Sequence, residues 1–360
     1  MNILVLYNDF DGAYGSLEVF QYELIDSITG QDRVYISRSV GDTETICANV
    51  KIDFSIGIGE FQQFSDGIPI YETTQVPHYQ WLIDNPLKMN IDLHSTLITY
   101  ILINRDFIYN LGRCCNAPIY IPLGFNTLNA SIDDKDYGIV FSGQIKNVSL
   151  NKEDNIFKKY YGNKVWDFLD MCDCTHGVPF EKTFQECFKE YPLNEKKIIF
   201  RYLNSYYRAL KRKKVLQSIT DYPIYILGDV FDEEIRRQRN VSLVGKVTYV
   251  EVWNIISKYM FSLNISPNFG DSIHDRIIRS ICYGTIPVSE GGEWCRSLLG
   301  ESMMYYSYKN LADMERLMIS CTKDEYKKRI FDLQDKVEQF RWENAILKIK
   351  ENFINHELQN

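Results

Sequence analysis

The sequence predicts an α/β protein of two halves, each a mostly parallel sheet with helices on both faces. Three observations predict it. Short apolar runs of buried-strand type recur from residues 3–7 onward. The segments between them carry helical periodicity, as in Leu17, Phe20, Leu24, Ile25 and Ile28, stopped near Gly30. The alternation then restarts after a polar stretch at 129–136, which reads as an interdomain linker. Strands separated by helices close as parallel sheets.

In the first half the strands are expected at 3–7, 33–37, 54–58, 79–83, 97–103 and 118–121. In the second, 138–143 is a strand running into a small-residue turn. An aromatic-rich helical insertion follows at about 148–200, and a basic helix at 206–219 carries Arg208, Lys211, Arg212, Lys213 and Lys214. Then come strands at 224–227, 242–247, 261–265 and 286–288, with helices at 250–260 and 276–283, the latter closed by Gly284. The end, 324–358, is almost all helical. The expected organisation is an N-terminal Rossmann-like domain at 1–134, a second at 135–340, and a C-terminal helix at 341–360 that packs back across a central cleft onto the first.

Composition narrows the function. The 360 residues are 45% hydrophobic and 24% charged, which excludes disorder and small disulfide scaffolds. The formal net charge of -8 leaves no global field for nucleic acid or an anionic membrane, so no nucleic acid partner and at most peripheral membrane association are expected. Nine cysteines, an odd count in a chain this size, favour reduced thiols. The N-terminus has no basic segment before its apolar run, so it reads as a strand and the expected location is cytoplasmic.

In parallel sheets of this kind ligands sit at the carboxyl ends of the strands. The residues there suit a phosphorylated ligand. Gly143 permits close backbone approach. Gly270-Asp271-Ser272 precedes a helix expected from about 273, with His274 and Arg276 in its first turn, and helix starts hold anions. Arg208 and Arg212 lie one turn apart on one face, where the alternative is a solvated basic surface. Asp84 ends a strand, with Asn85 and Pro86 fixing the turn after it; a capping role is the alternative. Cys172-x-Cys174-x-His176 is tighter than structural-zinc spacing and lacks a second pair, so buried thiols are expected and no metal is assigned.

The order of these segments resembles GT-B glycosyltransferases, most of all the CgeB and DUF3880-type bacterial family and more distantly phage DNA β-glucosyltransferase. The resemblance rests on Phe141-Ser142-Gly143, the basic helix, Ile226-Leu227-Gly228, Val244-Gly245-Lys246-Val247, Ser262-Leu263-Asn264-Ile265 and the block from Ser272 to Gly284, with Trp81-Leu82-Ile83-Asp84-Asn85-Pro86 upstream. It spans roughly residues 75–345. It implies sugar transfer from a nucleotide-sugar donor (UDP-, CMP- or GDP-linked) to a glycan, lipid-linked saccharide or protein, by direct displacement and with no cofactor.

By that resemblance Asp84 is the base that takes the acceptor proton, with His78 and Asp11 in reserve. Gly143, Arg208, Arg212, Gly228, Ser272, His274 and Arg276 hold the diphosphate, and Lys246 and Val247 face the base. The family's ribose-binding Glu is replaced by Arg279, which has no acceptor for ribose hydroxyls. Arg279 then meets an acidic donor, makes an ion pair between domains, or marks lost donor binding. A non-catalytic sugar- or partner-binding protein and a sugar-nucleotide 2-epimerase are the rival functions on this fold.

Overall fold

The structure is a computed structural model, and it describes residues 1–7, 15–59, 64–89, 91–92, 94–128, 132–148, 161–172, 180–265 and 270–358. The chain divides into two compact units, one of Met1–Asn126 with Gln339–Asn360, the other of Thr127–Glu338. The sequence reading divides it at 134/135 and 340/341.

The first unit carries β1 (Asn2–Leu6), β2 (Arg33–Ser37), β3 (Phe54–Ile58), a small hairpin of β4 (Phe64–Ser65) and β5 (Ile68–Pro69), then β6 (His78–Leu82), β7 (Ile98–Leu102) and β8 (Ile119–Tyr120). The hairpin apart, they form one parallel sheet in the order β2-β1-β3-β6-β7-β8. Central strands β3, β6 and β7 are buried along their whole length, with both faces covered, and they take the polar Ser55, His78, Gln80 and Thr99 into the core with them. The hairpin turns at Asp66 (φ 51°) and Gly67 (φ 82°), an Asp-Gly pair suited to positive φ at both central positions.

The helix Trp342–Glu357 belongs to this unit's core. Trp342 packs edge-to-face on Trp81 at 5.4 Å, and its indole N–H donates to Glu23 at 3.0 Å. Phe353 lies 5.3 Å from Phe54, and the Tyr79 hydroxyl donates to Asn352 at 3.0 Å.

The second unit carries β9 (Asp136–Ser142), β10 (Ile224–Leu227), β11 (Val241–Gly245), β12 (Tyr259–Asn264), β13 (Ile286–Ser289) and β14 (Met304–Tyr305), parallel throughout in the order β11-β10-β9-β12-β13-β14. From β9 the chain winds outward to β11, then returns past β9 to β12. The switch point therefore lies between β9 and β12. The described part of the insertion is helical, with Lys164–Met171 and Phe180–Phe188 packed through Phe168, Phe184 and Phe188. The basic helix is far longer than expected, running Leu193–Gln217 over 25 residues. Its aromatic first half reads as insertion in sequence because its apolar positions Ile199, Phe200 and Leu203 serve the insertion's core.

Candidate active site

At the carboxyl end of β9 three arginines converge. Arg212 donates from Nη1 to the carbonyl of Gln144, and Arg276 donates from Nη1 to the carbonyl of Ser142 at 2.9 Å. The two guanidiniums thus take the carbonyls on either side of Gly143. Arg208, one turn before Arg212, adds its charge to both. Arg212 is 6% exposed, its Nε has no hydrogen-bond partner among the described residues, and no carboxylate pairs with it there. Burial first, then Arg208 and Arg276, push its guanidinium well below the ordinary range. A buried cation among like charges is costly unless an anion completes it.

The backbone beneath this group is set by glycines. Gly143 (φ 152°) donates its N–H to Leu227 at 2.9 Å, and Gly228 donates to Gly245 at 2.8 Å, so the ends of β9, β10 and β11 are tied in a row. A Cβ on Gly228 (φ 136°) would lie 2.7 Å from the Gly143 carbonyl oxygen. Only glycine lets the two strand ends approach this closely.

Arg276 is placed by the helix Asp275–Cys282. The helix starts after His274, which is its N-cap: Nδ1 lies 3.1 Å from the Arg276 amide. The same nitrogen is 2.5 Å from Asp275 Oδ1, and the Tyr249 hydroxyl donates to Asp275 Oδ2 at 3.1 Å. Burial opposes ionisation of Asp275, but His274, Arg276 and Arg279 outweigh it and hold the carboxyl well below the usual range. Burial lowers His274, with Asp275 opposing. Ser272, ahead of this helix, is 4% exposed, and its hydroxyl has no partner among the described residues.

The chain matches solved glycosyltransferases over nearly its whole length. With AviGT4, involved in avilamycin A biosynthesis, the TM-score is 0.54 at 12% identity, covering 98% of this chain and 97% of that one. With T4 phage β-glucosyltransferase, a DNA-modifying enzyme, it is 0.55 at 12%, covering 97% and 99%. With a Rickettsia africae glycosyltransferase it is 0.51 at 9%, covering 98% of both chains. The chain has the GT-B fold. No protein-family model matches it, and no curated protein sequence does.

Within the GT-B frame the expected site residues fall into groups. Gly143, Arg208, Arg212 and Arg276 meet at the β9 end, with Gly228 beneath them and His274 and Ser272 along the approach to the same helix. Lys246 and Val247 follow β11 at the sheet's edge, two strands away. Lys246 is exposed, and Val247 packs on the apolar cluster of Trp253 before Thr248 and Glu251 form a capping box.

Arg279 has partners within the second unit. It is 4% exposed, with its guanidinium 5.6 Å over the Tyr249 ring and its charge spent on Asp275 one turn earlier. Tyr249 and Asp275 are the residues that sequence reasoning missed. Asp275 sits four before Arg279, a helical ion-pair spacing that was the available signal.

In the first unit Asp84 follows β6 at the strand's carboxyl end, exposed, with Lys88 Nζ 3.2 Å from Oδ1. The capping role falls instead to Asn85, whose side chain accepts from the Leu87 amide at 3.0 Å. His78 is corrected. It opens β6 at the opposite end of the strand and is 1% exposed. Ser55 Oγ lies 2.8 Å from its Nδ1, Gln80 Oε1 lies 3.0 Å from its Nε2, and the Tyr71 ring stacks at 5.3 Å. Burial lowers its pKa to about 4, with Gln80 opposing, so it is a neutral packing residue. Asp11 lies outside the described residues, as do Cys174 and His176; Cys172 is buried among the insertion's helices.

Proposed function

We propose that the protein is a glycosyltransferase that moves a sugar from a nucleotide-sugar donor to a glycan, lipid-linked saccharide or protein by direct displacement. The observation that carries this is the meeting of Arg208, Arg212 and Arg276 around Gly143 at the switch point of the second sheet. Departure of a nucleoside diphosphate builds negative charge on phosphate oxygens, and preorganised guanidiniums stabilise that charge. Asp84, an exposed carboxylate at a strand's carboxyl end, is the base for the acceptor hydroxyl. The reaction as proposed uses the sugar nucleotide as substrate and needs no cofactor.

The fold neighbours support this reading, since T4 β-glucosyltransferase has been solved in complex with its UDP-glucose substrate. The sequence pattern around Ser272–Gly284 supports a CgeB-like relationship within the fold. Among the described residues no helix is long and apolar enough to cross a membrane, which accords with an enzyme acting in the cytoplasm or at a membrane surface. The ion pair of Asp84 with Lys88 favours a second reading, a non-catalytic sugar- or partner-binding protein.

Calorimetric titration of UDP, CMP and GDP tests the first claim, and absence of binding by all three at millimolar concentration would sink it. Asp84→Asn then separates the two readings. The variant should bind nucleotide as the parent does while losing donor turnover, measured as nucleotide release. Turnover equal to the parent's would remove Asp84 as base, and no turnover by either protein would favour the binding role.

A further inference from the structure

Two tyrosines of the first unit stand at strand ends beside Asp84, and the chemistry assigned to Asp84 does not use them. β7 ends at Leu102, and the chain turns through Arg105–Phe107 and the short helix Ile108–Leu111 before returning as β8. Tyr120 of β8 pairs with Leu102, so it stands level with the carboxyl end of β7. Asn110 Nδ2 donates to Asn85 Oδ1 at 3.2 Å, which ties the Ile108–Leu111 helix to the turn that carries Asp84. Tyr109 precedes Asn110, as Asp84 precedes Asn85. Tyr109 and Asp84 are thus held on two segments joined by one bond, and Tyr120 lies on the edge strand of the same sheet.

These two rings are unlike the unit's other tyrosines. Tyr7, Tyr71, Tyr79 and Tyr100 are buried, and the exposed Tyr22 packs on Tyr7 at 5.5 Å. Tyr109 and Tyr120 are 43% and 37% exposed, and no aromatic ring packs on either among the described residues. Their backbone is nevertheless well anchored. Asn104 accepts from the Asp106 amide at 3.0 Å, and Phe107 and Leu111 are buried beneath the turn and helix. The charges close to the rings come in opposed pairs. Asp84 faces Lys88 at 3.2 Å, and Arg105 and Asp106 act on the Tyr120 hydroxyl in opposite senses. Such a patch has no net field to gather an anion. Two tyrosine faces edged by polar groups suit a neutral ligand with an apolar face and a hydroxylated rim.

We propose that Tyr109 and Tyr120 bind the acceptor, holding a neutral pyranose by its ring face beside Asp84. The word acceptor rests on the glycosyltransferase reading with Asp84 as base, but the sugar contact is independent of it. A pyranose presents C–H groups on its face and hydroxyls around its edge. The phenol rings take the face, and the hydroxyls meet the Asp84 carboxylate and the polar groups of the two turns. The two strand spacings from β6 to β8 cover about 10 Å, so a second sugar of a glycan fits alongside the one that reacts. The acceptor is accordingly a saccharide and not a bare peptide or lipid.

Saturation-transfer difference NMR tests this with the methyl β-glycosides of glucose, galactose and N-acetylglucosamine, and with sorbitol as an acyclic polyol that has no ring face. Two double variants are compared with the parent, Tyr109→Ala with Tyr120→Ala and Tyr109→Phe with Tyr120→Phe. At least one glycoside should receive saturation on its ring C–H protons from the parent, and sorbitol should not. The signal should fall at least ~5-fold in the alanine variant and persist in the phenylalanine variant, which keeps both rings. Both positions are exposed, so urea unfolding of the alanine variant should match the parent. UDP affinity should stay within about twofold, since the arginine cluster lies in the other unit. No transfer to any of the glycosides, equal transfer to sorbitol, a signal unchanged in the alanine variant or one lost in the phenylalanine variant overturns the proposal. So does self-association of the parent that the alanine variant abolishes in analytical ultracentrifugation, which would assign the rings to a second copy of the chain. Failure of the parent to bind UDP would overturn the transferase reading, while the glycoside result still decides whether the tyrosines hold a sugar.

Discussion

Arg212 and Arg276 grip the two carbonyls that flank Gly143, one from the long basic helix and one from the helix after the switch point. Each guanidinium spends one donor on the backbone, which fixes its plane and leaves other donors for a ligand. The arrangement predicts opposite effects on binding and stability. Arg212→Met removes a charge buried beside like charges, so the nucleotide-free protein should melt at or above the parent's temperature. UDP binding should weaken at least ~10-fold, since a charged hydrogen bond contributes roughly 1.5–3 kcal/mol. Thermal unfolding with and without UDP reads both, and a variant that loses stability but keeps its UDP affinity would show the cluster to be structural.

His78 predicts an acid weakness in the first unit. Its folded pKa of about 4 lies below the ordinary 6.5, because burial disfavours the imidazolium. Above pH 6.5 the ring is neutral folded and unfolded, and it costs nothing. Between 6.5 and 4 the unfolded chain takes up the proton first, so stability falls as pH falls, by about 3 kcal/mol across the window. Urea unfolding at pH 7 and pH 5 should show a smaller loss in His78→Gln than in the parent. Equal losses would mean that His78 is not the group responsible.

How much of this was legible in the sequence follows from which forces are local. Strand positions are written in apolar runs, so β1, β3, β6, β9 and β10 fall where the runs do. Glycines at strand ends marked the ligand side, because the backbone freedom at Gly143 and Gly228 is a property of the residue itself. The pairing of Arg279 with Tyr249 was not legible, since it joins residues thirty apart through a turn geometry the sequence does not state. Nor was the inward turn of His78, since a histidine at a strand start reads alike whether buried or exposed. Expected strand 118–121 shrank to Ile119–Tyr120 because a sheet edge pairs on one side only. The short β14 and the helix Glu293–Leu299 left no periodic signal long enough to register.

Glu315 predicts a stability defect far from any ligand. Its carboxylate, 8% exposed, accepts from the backbone N–H groups of Thr220, Asp221 and Tyr222 at 3.2, 2.7 and 2.6 Å, closing the turn that leads into β10. Burial works to raise its pKa, but these bonds outweigh it and hold the pKa below the usual value. The stabilisation is therefore present at neutral pH and lost as pH falls through the carboxylate range. Glu315→Gln keeps the size, gives up the charge and sets an amide NH2 against backbone donors. It should cost roughly 1.5–3 kcal/mol at pH 7 in urea unfolding. The difference from the parent should shrink toward acid pH; a difference independent of pH would refute the charge argument.

The return of the C-terminal helix to the first unit predicts a defect from a single methyl group. Gly124 lies against Trp342, where an added Cβ would sit 2.7 Å from the indole Cδ2 and 2.9 Å from the Trp342 backbone nitrogen. Trp342 cannot withdraw, because Trp81 holds one edge of its ring and Glu23 holds its N–H. The Trp342 amide also donates to the Phe125 carbonyl at 3.2 Å, which fixes the backbone on both sides. Gly124→Ala should therefore destabilise the first unit by about 1–3 kcal/mol through overpacking. Trp342→Ala, which leaves a cavity instead, should cost about 3–5 kcal/mol. Gly124→Ala placed on Trp342→Ala should cost less than on the parent, because the ring contacts are gone and only the 2.9 Å approach to the residue 342 backbone nitrogen remains. A double-mutant cycle on the first-unit unfolding transition measures this, and strict additivity would show that the two residues do not meet.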